Sequence, residues 1–178
     1  MGPLSKILRH KASPAEPDTF AYIAPTAAVL GDVHLGEDVS IWYSAVLRGD
    51  EAPIIIRDGT NVQDNASLHC DPGVPLVIGS YVTIGHGAIL HCESIGDKCI
   101  IGMGAVILGG ASIGESSLVG AGSLVTPNKK FPPRCLILGS PAKVVRELTE
   151  AEVEKQFESA MHYIQLARSG QRSRSYGE

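Results

Sequence analysis

Three histidines, His69, His86 and His91, are the residues whose type and spacing first point to chemistry. Neutral imidazole binds zinc at about 2.0 to 2.1 Å, and three such ligands leave a tetrahedral ion one open position for water. No two of the three are close enough in sequence to share a helix turn, so the fold must bring them together. What positions them is a repeat. Aliphatic residues recur at every sixth position, usually with Gly next: Ile78-Gly79, Ile84-Gly85, Ile95-Gly96, Ile101-Gly102, Ile113-Gly114 and Val119-Gly120.

The same phase extends backward through Ile23, Val29, Leu35, Ile41, Leu47, Ile56, Val62 and Leu68, and forward to Val125. It is interrupted by insertions between Leu47 and Ile56 and between Leu68 and Ile78, and by a one-residue deletion before Ile95. A period of six fits neither the 3.6-residue helix nor simple strand alternation. It fits a parallel β-helix whose triangular coils each use three hexapeptides, with the aliphatic residue pointing inward.

The register converts sequence into a map. Residues three register positions apart share a face, so Leu47, Leu68 and Leu90 form one column, and Arg48, His69 and His91 form the outward column beside it. Stacked strands lie about 4.8 Å apart. The imidazoles of His69 and His91 can therefore converge on one ion. His86 follows Ile84 by two positions and faces outward from the neighbouring side of the triangle. It is poorly placed to join that pair within its own chain, whereas a threefold homotrimer would bring a second subunit's His86 to it. The expectation is three equivalent metal sites per trimer, one at each interface. Cys70 and Cys92 adjoin two of the ligands, but neighbours in a strand point to opposite faces, so zinc held by three imidazoles and water is expected rather than a thiolate site. His10, His34 and His162 read as surface residues.

The rest of the chain bounds this reading. Its 178 residues suit one buried domain. A formal charge of −4, without long blocks of either sign, gives no reason to expect nucleic acid or a membrane as partner. Neither a secretory signal nor an apolar run of membrane-spanning length is evident, and four cysteines read as free thiols, so a cytoplasmic location is expected. The organisation expected is an N-terminal extension over 1–20, a β-helix over 21–145, and a C-terminal helix and tail over 146–178. Thr149 followed by Glu152 is a capping-box signature. Val153, Phe157, Ala160, Met161 and Ile164 then fall on one helical face, Gly170 marks a stop, and the polar end from Gln171 to Glu178 is expected to fray.

The segments Leu47-Arg48-Gly49-Asp50, Asn61-Val62-Gln63-Asp64-Asn65, Leu68-His69, Ile84-Gly85-His86, Leu90-His91, Gly102-Met103-Gly104 and Gly139-Ser140-Pro141-Ala142-Lys143 together resemble the γ-class carbonic anhydrase family, from about Ala24 to Gln165. The resemblance implies an all-β, single-stranded left-handed parallel β-helix of hexapeptide repeats followed by a C-terminal α-helix. It also implies a homotrimer, with carbon dioxide and bicarbonate as substrates. His69, His86 and His91 match the family's ligands for zinc, or for iron or cobalt in some members. Gln63 matches the residue that orients the water or bicarbonate, and Asn61 a neighbouring polar group of the pocket. Arg48 and Asp50 match interface residues, with Asp64 a further partner for the arginine. Tyr163 and Gln165 match a tyrosine and an amide on the terminal helix.

The activity implied is reversible hydration of carbon dioxide. Zinc with neutral ligands lowers the pKa of its water from 15.7 to about 7, which makes hydroxide available to attack carbon dioxide. The remaining proton must then be carried away. Here the chain departs from the family's best-studied pattern, which has a shuttle glutamate in an acidic loop after the first ligand. The corresponding stretch, Cys70-Asp71-Pro72-Gly73-Val74-Pro75, has none. Glu51 matches a second pocket glutamate, and Asp71 is a substitute shuttle candidate. Two other functions share the repeat: an acyl-CoA-dependent acyltransferase, which generally uses one histidine on an inserted loop, and a non-catalytic metal-binding or assembly subunit.

Overall fold

A computed structural model describes residues 21–170; the expected extension over 1–20, His10 and the polar end from Gln171 lie outside it. The six-residue period folds into the coils it implies. One face stacks β1 (Ala21–Ile23), β3 (Val39–Ile41), β5 (Asn61–Val62), β8 (Thr83–Ile84), β11 (Ile100–Ile101), β14 (Leu118–Val119) and β17 (Cys135–Gly139). The long strands β2 (Ala28–Leu35) and β4 (Val46–Ile56) each run through a corner and contribute to both remaining faces. Their N-terminal halves lead a second face with β6 (Ser67–His69), β9 (Ile89–Leu90), β12 (Val106–Ile107) and β15 (Leu124–Val125). Their C-terminal halves lead a third with β7 (Leu76–Ile78), β10 (Ser94–Ile95), β13 (Ser112–Ile113) and β16 (Lys130–Phe131).

The stacking is parallel and keeps the sequence register. On the first face Ile23, Ile41, Val62, Ile84, Ile101, Val119 and Ile137 lie one above another. On the second the column is Val29, Leu47, Leu68, Leu90, Ile107 and Val125. Most of these side chains are fully buried and form one continuous core, which is where the hydrophobic stabilisation of the coil resides. The corner after the first face turns through a left-handed residue in five successive coils, at Ser44, Asn65, Gly87, Gly104 and Gly122. Asp64 and His86 immediately precede two of these turns, so the corner backbone fixes where they point.

Past the last parallel strand, β17, the chain adds one element that the period does not announce. After β17 the chain reverses at Gly139-Ser140-Pro141, and β18 (Ala142–Glu147) returns antiparallel along the edge. Helix α1 (Glu150–Gly170) then lies against β3, β5 and β8. Its start is the capping box: Thr149 N–H donates to Glu152 Oε2 at 2.9 Å, and Glu152 N–H donates to Thr149 Oγ1 at 3.3 Å. The buried stripe is rotated from the one expected. Gln156, Ala160, Ile164 and Ala167 are buried, while Val153, Phe157 and Met161 are only half-buried. Gln156 takes a core position because its amide donates to Ser116 O at 3.2 Å, which satisfies part of a polar group that periodicity assigns to solvent. No helix of the described residues is long and apolar enough to cross a membrane.

Candidate metal centre

Strand pairing sets Arg48 beside His69 and Leu68 beside Leu90, so the two imidazoles stack on the second face. Their ring centroids are 5.0 Å apart with the planes at 70°. Each ring is held by a carboxylate: His69 Nε2 lies 3.0 Å from Asp50 Oδ1, and His91 Nε2 lies 2.9 Å from Asp71 Oδ1. Arg48 donates to both oxygens of Asp50, at 2.9 and 2.6 Å. First the guanidinium, and secondarily His69, hold the Asp50 carboxyl below its ordinary value. Asp71 sits on the inserted segment after β6, and Gly73 N–H donates to Glu51 O at 3.3 Å, so the two insertions lie against each other beside the histidines. The Glu51 side chain is exposed.

His86 stands at the corner after the first face, and its Nδ1 lies 2.9 Å from Asp64 Oδ2. Asp64, expected to partner Arg48, serves a different role within the chain: it holds His86 and accepts Tyr43 N–H at 3.1 Å. Within the chain Arg48 is taken up by Asp50. Among the described residues of one chain, no three His, Cys, Asp or Glu side chains converge as a metal would require. Two imidazoles lie on one face and the third beyond the adjacent corner.

Each imidazole thus has one nitrogen beside a carboxylate and the other without one, as metal-binding histidines commonly do. Three imidazoles oriented in this way are a donor set of the kind that suits a divalent metal, although one chain does not bring the three rings together. Cys70 and Cys92 are buried inside the coil, with the Cys70 thiol donating to Ala52 O, so neither is a ligand candidate. Burial pushes the Cys92 thiol up to about 12.

A groove of about 370 Å³ runs between α1 and the corner that carries His86, lined by Gln63, Thr83, Gly85, Met103, Ser159 and Tyr163 among others. Gln63 is buried at 5% exposure, and its amide nitrogen donates to Asn61 Oδ1 at 3.2 Å. Asn61 in turn donates to Thr83 Oγ1 at 3.0 Å. This chain fixes the Gln63 amide. Tyr163 packs edge-on against Trp42, with ring centroids 5.5 Å apart, and burial, then the charge of Asp64, pushes its phenol up. Gln165 is exposed. One chain therefore brings Asn61, Gln63, Asp64, His86 and Tyr163 to one side, and Arg48, Asp50, Glu51, His69, Asp71 and His91 to the other.

Trp42, which anchors Tyr163, follows the register aliphatic Ile41 and so takes an outward position, but the repeat carries no signal that a helix will pack on it. The pairing of Asp71 with His91 depends on how an inserted loop folds back, for which the repeat carries no signal.

Residues 94–127 match the family described as bacterial transferase hexapeptide (six repeats). A protein of Methanocaldococcus jannaschii, described as "Probable carbonic anhydrase", is 49% identical over 145 residues, covering 82% of this chain and 91% of its own. Gamma carbonic anhydrase 1, mitochondrial, of Arabidopsis thaliana is 41% identical over 158 residues; 85% of this chain is matched, which spans 58% of that relative's length. Among solved structures, a Bacillus cereus protein provisionally described as an acetyltransferase is 45% identical with a TM-score of 0.83, covering 85% of this chain and 88% of that one. On a repeat that stacks three faces, and with identities of 49% and 41% to these carbonic anhydrases over most of its length, the chain belongs to the γ-class carbonic anhydrase family.

Proposed function

We propose that this chain works as a homotrimeric zinc carbonic anhydrase, cytoplasmic in location, which hydrates carbon dioxide reversibly at three sites between subunits. The observation that carries the reading is the division of the donor set: His69 and His91 stack on one face, while His86 stands past the corner with its Nε2 free of Asp64. Exposed apolar side chains flank both halves. Ile89, at 47% exposure, and Val46 sit on the face of His69 and His91, and Met103, at 60%, and Tyr43 sit beside His86 and Asp64. Apolar surface of this kind marks an interaction site, and a closed threefold ring matches one half to the other in every subunit.

When bound, a divalent metal supplies the Lewis acidity that makes water a nucleophile at neutral pH. The chain's own groups do the rest. Gln63, locked through Asn61 and Thr83, presents its amide oxygen where a water or bicarbonate hydroxyl can donate to it. The mostly apolar groove beyond it, with Ile100, Met103 and Ala121, suits an uncharged substrate. Arg48 and Asp50 steady His69. The proton released in each turnover needs an acceptor, for which Asp71, whose carboxylate lies 2.9 Å from His91 Nε2, and the exposed Glu51 are the candidates.

A second reading, acyl transfer from an acyl-CoA, draws on the description of the Bacillus cereus neighbour. The inserted segment from Cys70 to Pro75 carries no histidine to serve it. Stopped-flow carbon dioxide hydration on metal-quantified protein tests the choice. Turnover by the zinc form is expected. No hydration, together with acetyl-CoA turnover, would overturn the proposal, and neither activity with metal retained would leave an assembly role.

A further inference from the structure

Asp64 is bound on two sides in a way that selects how His86 can act. One carboxylate oxygen accepts the backbone N–H of Tyr43, from the preceding coil, at 3.1 Å. The other lies 2.9 Å from Nδ1 of His86, in the following coil. Asp64 and His86 occupy equivalent corner positions one coil apart, each followed by a left-handed residue, Asn65 at φ 60° and Gly87 at φ 67°. The carboxylate is thereby fixed by backbone below before it meets the ring above.

We infer that Asp64 is a positioning residue for the interface metal: it keeps the proton of neutral His86 on Nδ1 and so presents the bare Nε2 outward to a neighbouring subunit. An ionised carboxylate only accepts hydrogen bonds, so the ring nitrogen facing it must carry the hydrogen. The alternative tautomer would place a lone pair against the carboxylate and a proton where the metal must bind. His69 and His91 differ, because it is their Nε2 atoms that face Asp50 and Asp71. Asp64 thus decides which atom of the third ligand is available, and it does so within the single chain. Loss of such a carboxylate partner typically weakens metal binding by about 10- to 100-fold.

The inference rests on the interface reading above, and its test separates the two. The tautomer is read first, by nitrogen-15 NMR of metal-free wild-type protein at mildly alkaline pH, with the His86 signals identified by their loss in His86→Gln. A proton on Nδ1 is expected; a proton on Nε2 would overturn the inference whatever else is found. Binding is read second, by titrating Co²⁺ alone into wild type and Asp64→Asn. An amide can donate as well as accept, so in the variant the Nδ1 preference should fall and Co²⁺ affinity should drop by about 10- to 100-fold, with partial recovery in Asp64→Glu. Equal Co²⁺ affinity in wild type and Asp64→Asn would overturn the inference and leave the metal reading standing. Failure of wild type to bind Co²⁺, with Nδ1 protonated, would instead remove the interface metal and the role built on it.

Discussion

Replacing Gly85 by alanine tests whether close coil packing, rather than turn conformation, demands the glycine that follows the register aliphatic Ile84. A Cβ at Gly85 would stand 2.8 Å from Ile101 O and 2.8 Å from Met103 N, both backbone atoms of the next coil. Ordinary contact begins at 3.4 Å, so the coils must part by about 0.6 Å. That same Ile101 carbonyl accepts the Gly85 N–H at 2.8 Å, so the retreat stretches the bond to the edge of useful geometry. Overpacking costs about 1 to 3 kcal/mol and a lost backbone hydrogen bond about 1 more, for a total of roughly 2 to 4 kcal/mol. In urea at matched protomer concentration, with m near 2 kcal/mol/M, the midpoint should fall by about 1 to 2 M with m unchanged. His86 is the next residue, so Co²⁺ affinity should weaken as well. A midpoint within about 0.2 M of wild type would refute the reasoning, because it would show that the coils yield at almost no cost.

Gln63→Ala should retain metal and trimer while turnover falls on the order of 100-fold, the scale for removing one oriented polar group from a reacting centre; unchanged kcat in stopped-flow hydration would remove Gln63 from the mechanism. Glu152→Gln should change the acid side of the stability profile. Arg146, and then Thr149, lower the Glu152 carboxyl from 4.5 to about 2, so its contribution is present above 4.5 and is lost as pH falls through about 2. The stability difference between wild type and Glu152→Gln should therefore shrink steadily across that window and shrink further in high salt, since the pair is exposed. A difference independent of pH would contradict the assignment. The pair in question is Arg146 with Glu152, at 2.7 Å.

Much of this molecule can be read from its repeat, because the period of six fixes which residues stack. The columns through Leu47, Leu68 and Leu90, and the placing of His69 over His91, follow from counting alone, and the coils reproduce them. The helix cap at Thr149 is equally local and equally legible. What the sequence does not disclose depends on segments that leave the repeat. Asp71 meets His91 only because an inserted loop folds back over the coil, and β18 pairs antiparallel only because the chain reverses at Ser140-Pro141. Gln156 is buried against Ser116 O, which no hydrophobic pattern anticipates. Asp64 is a further case: the resemblance implies an arginine partner across an interface, and within the chain the corner geometry adds His86, which the repeat does not announce.

If each metal site is made by two chains, as proposed, subunits defective in opposite halves should complement each other. His69→Ala/His91→Ala keeps His86 but lacks the stacked pair, while His86→Ala keeps the pair but lacks the third ligand. Each variant alone should bind Co²⁺ weakly and hydrate carbon dioxide negligibly. If the two are denatured together and reassembled in equal amounts, random threefold assembly restores about one quarter of the interface sites. Recovery of Co²⁺ binding and hydration to about that fraction of wild type is the predicted result. Recovery of neither, from mixed trimers shown to have formed, would contradict the account.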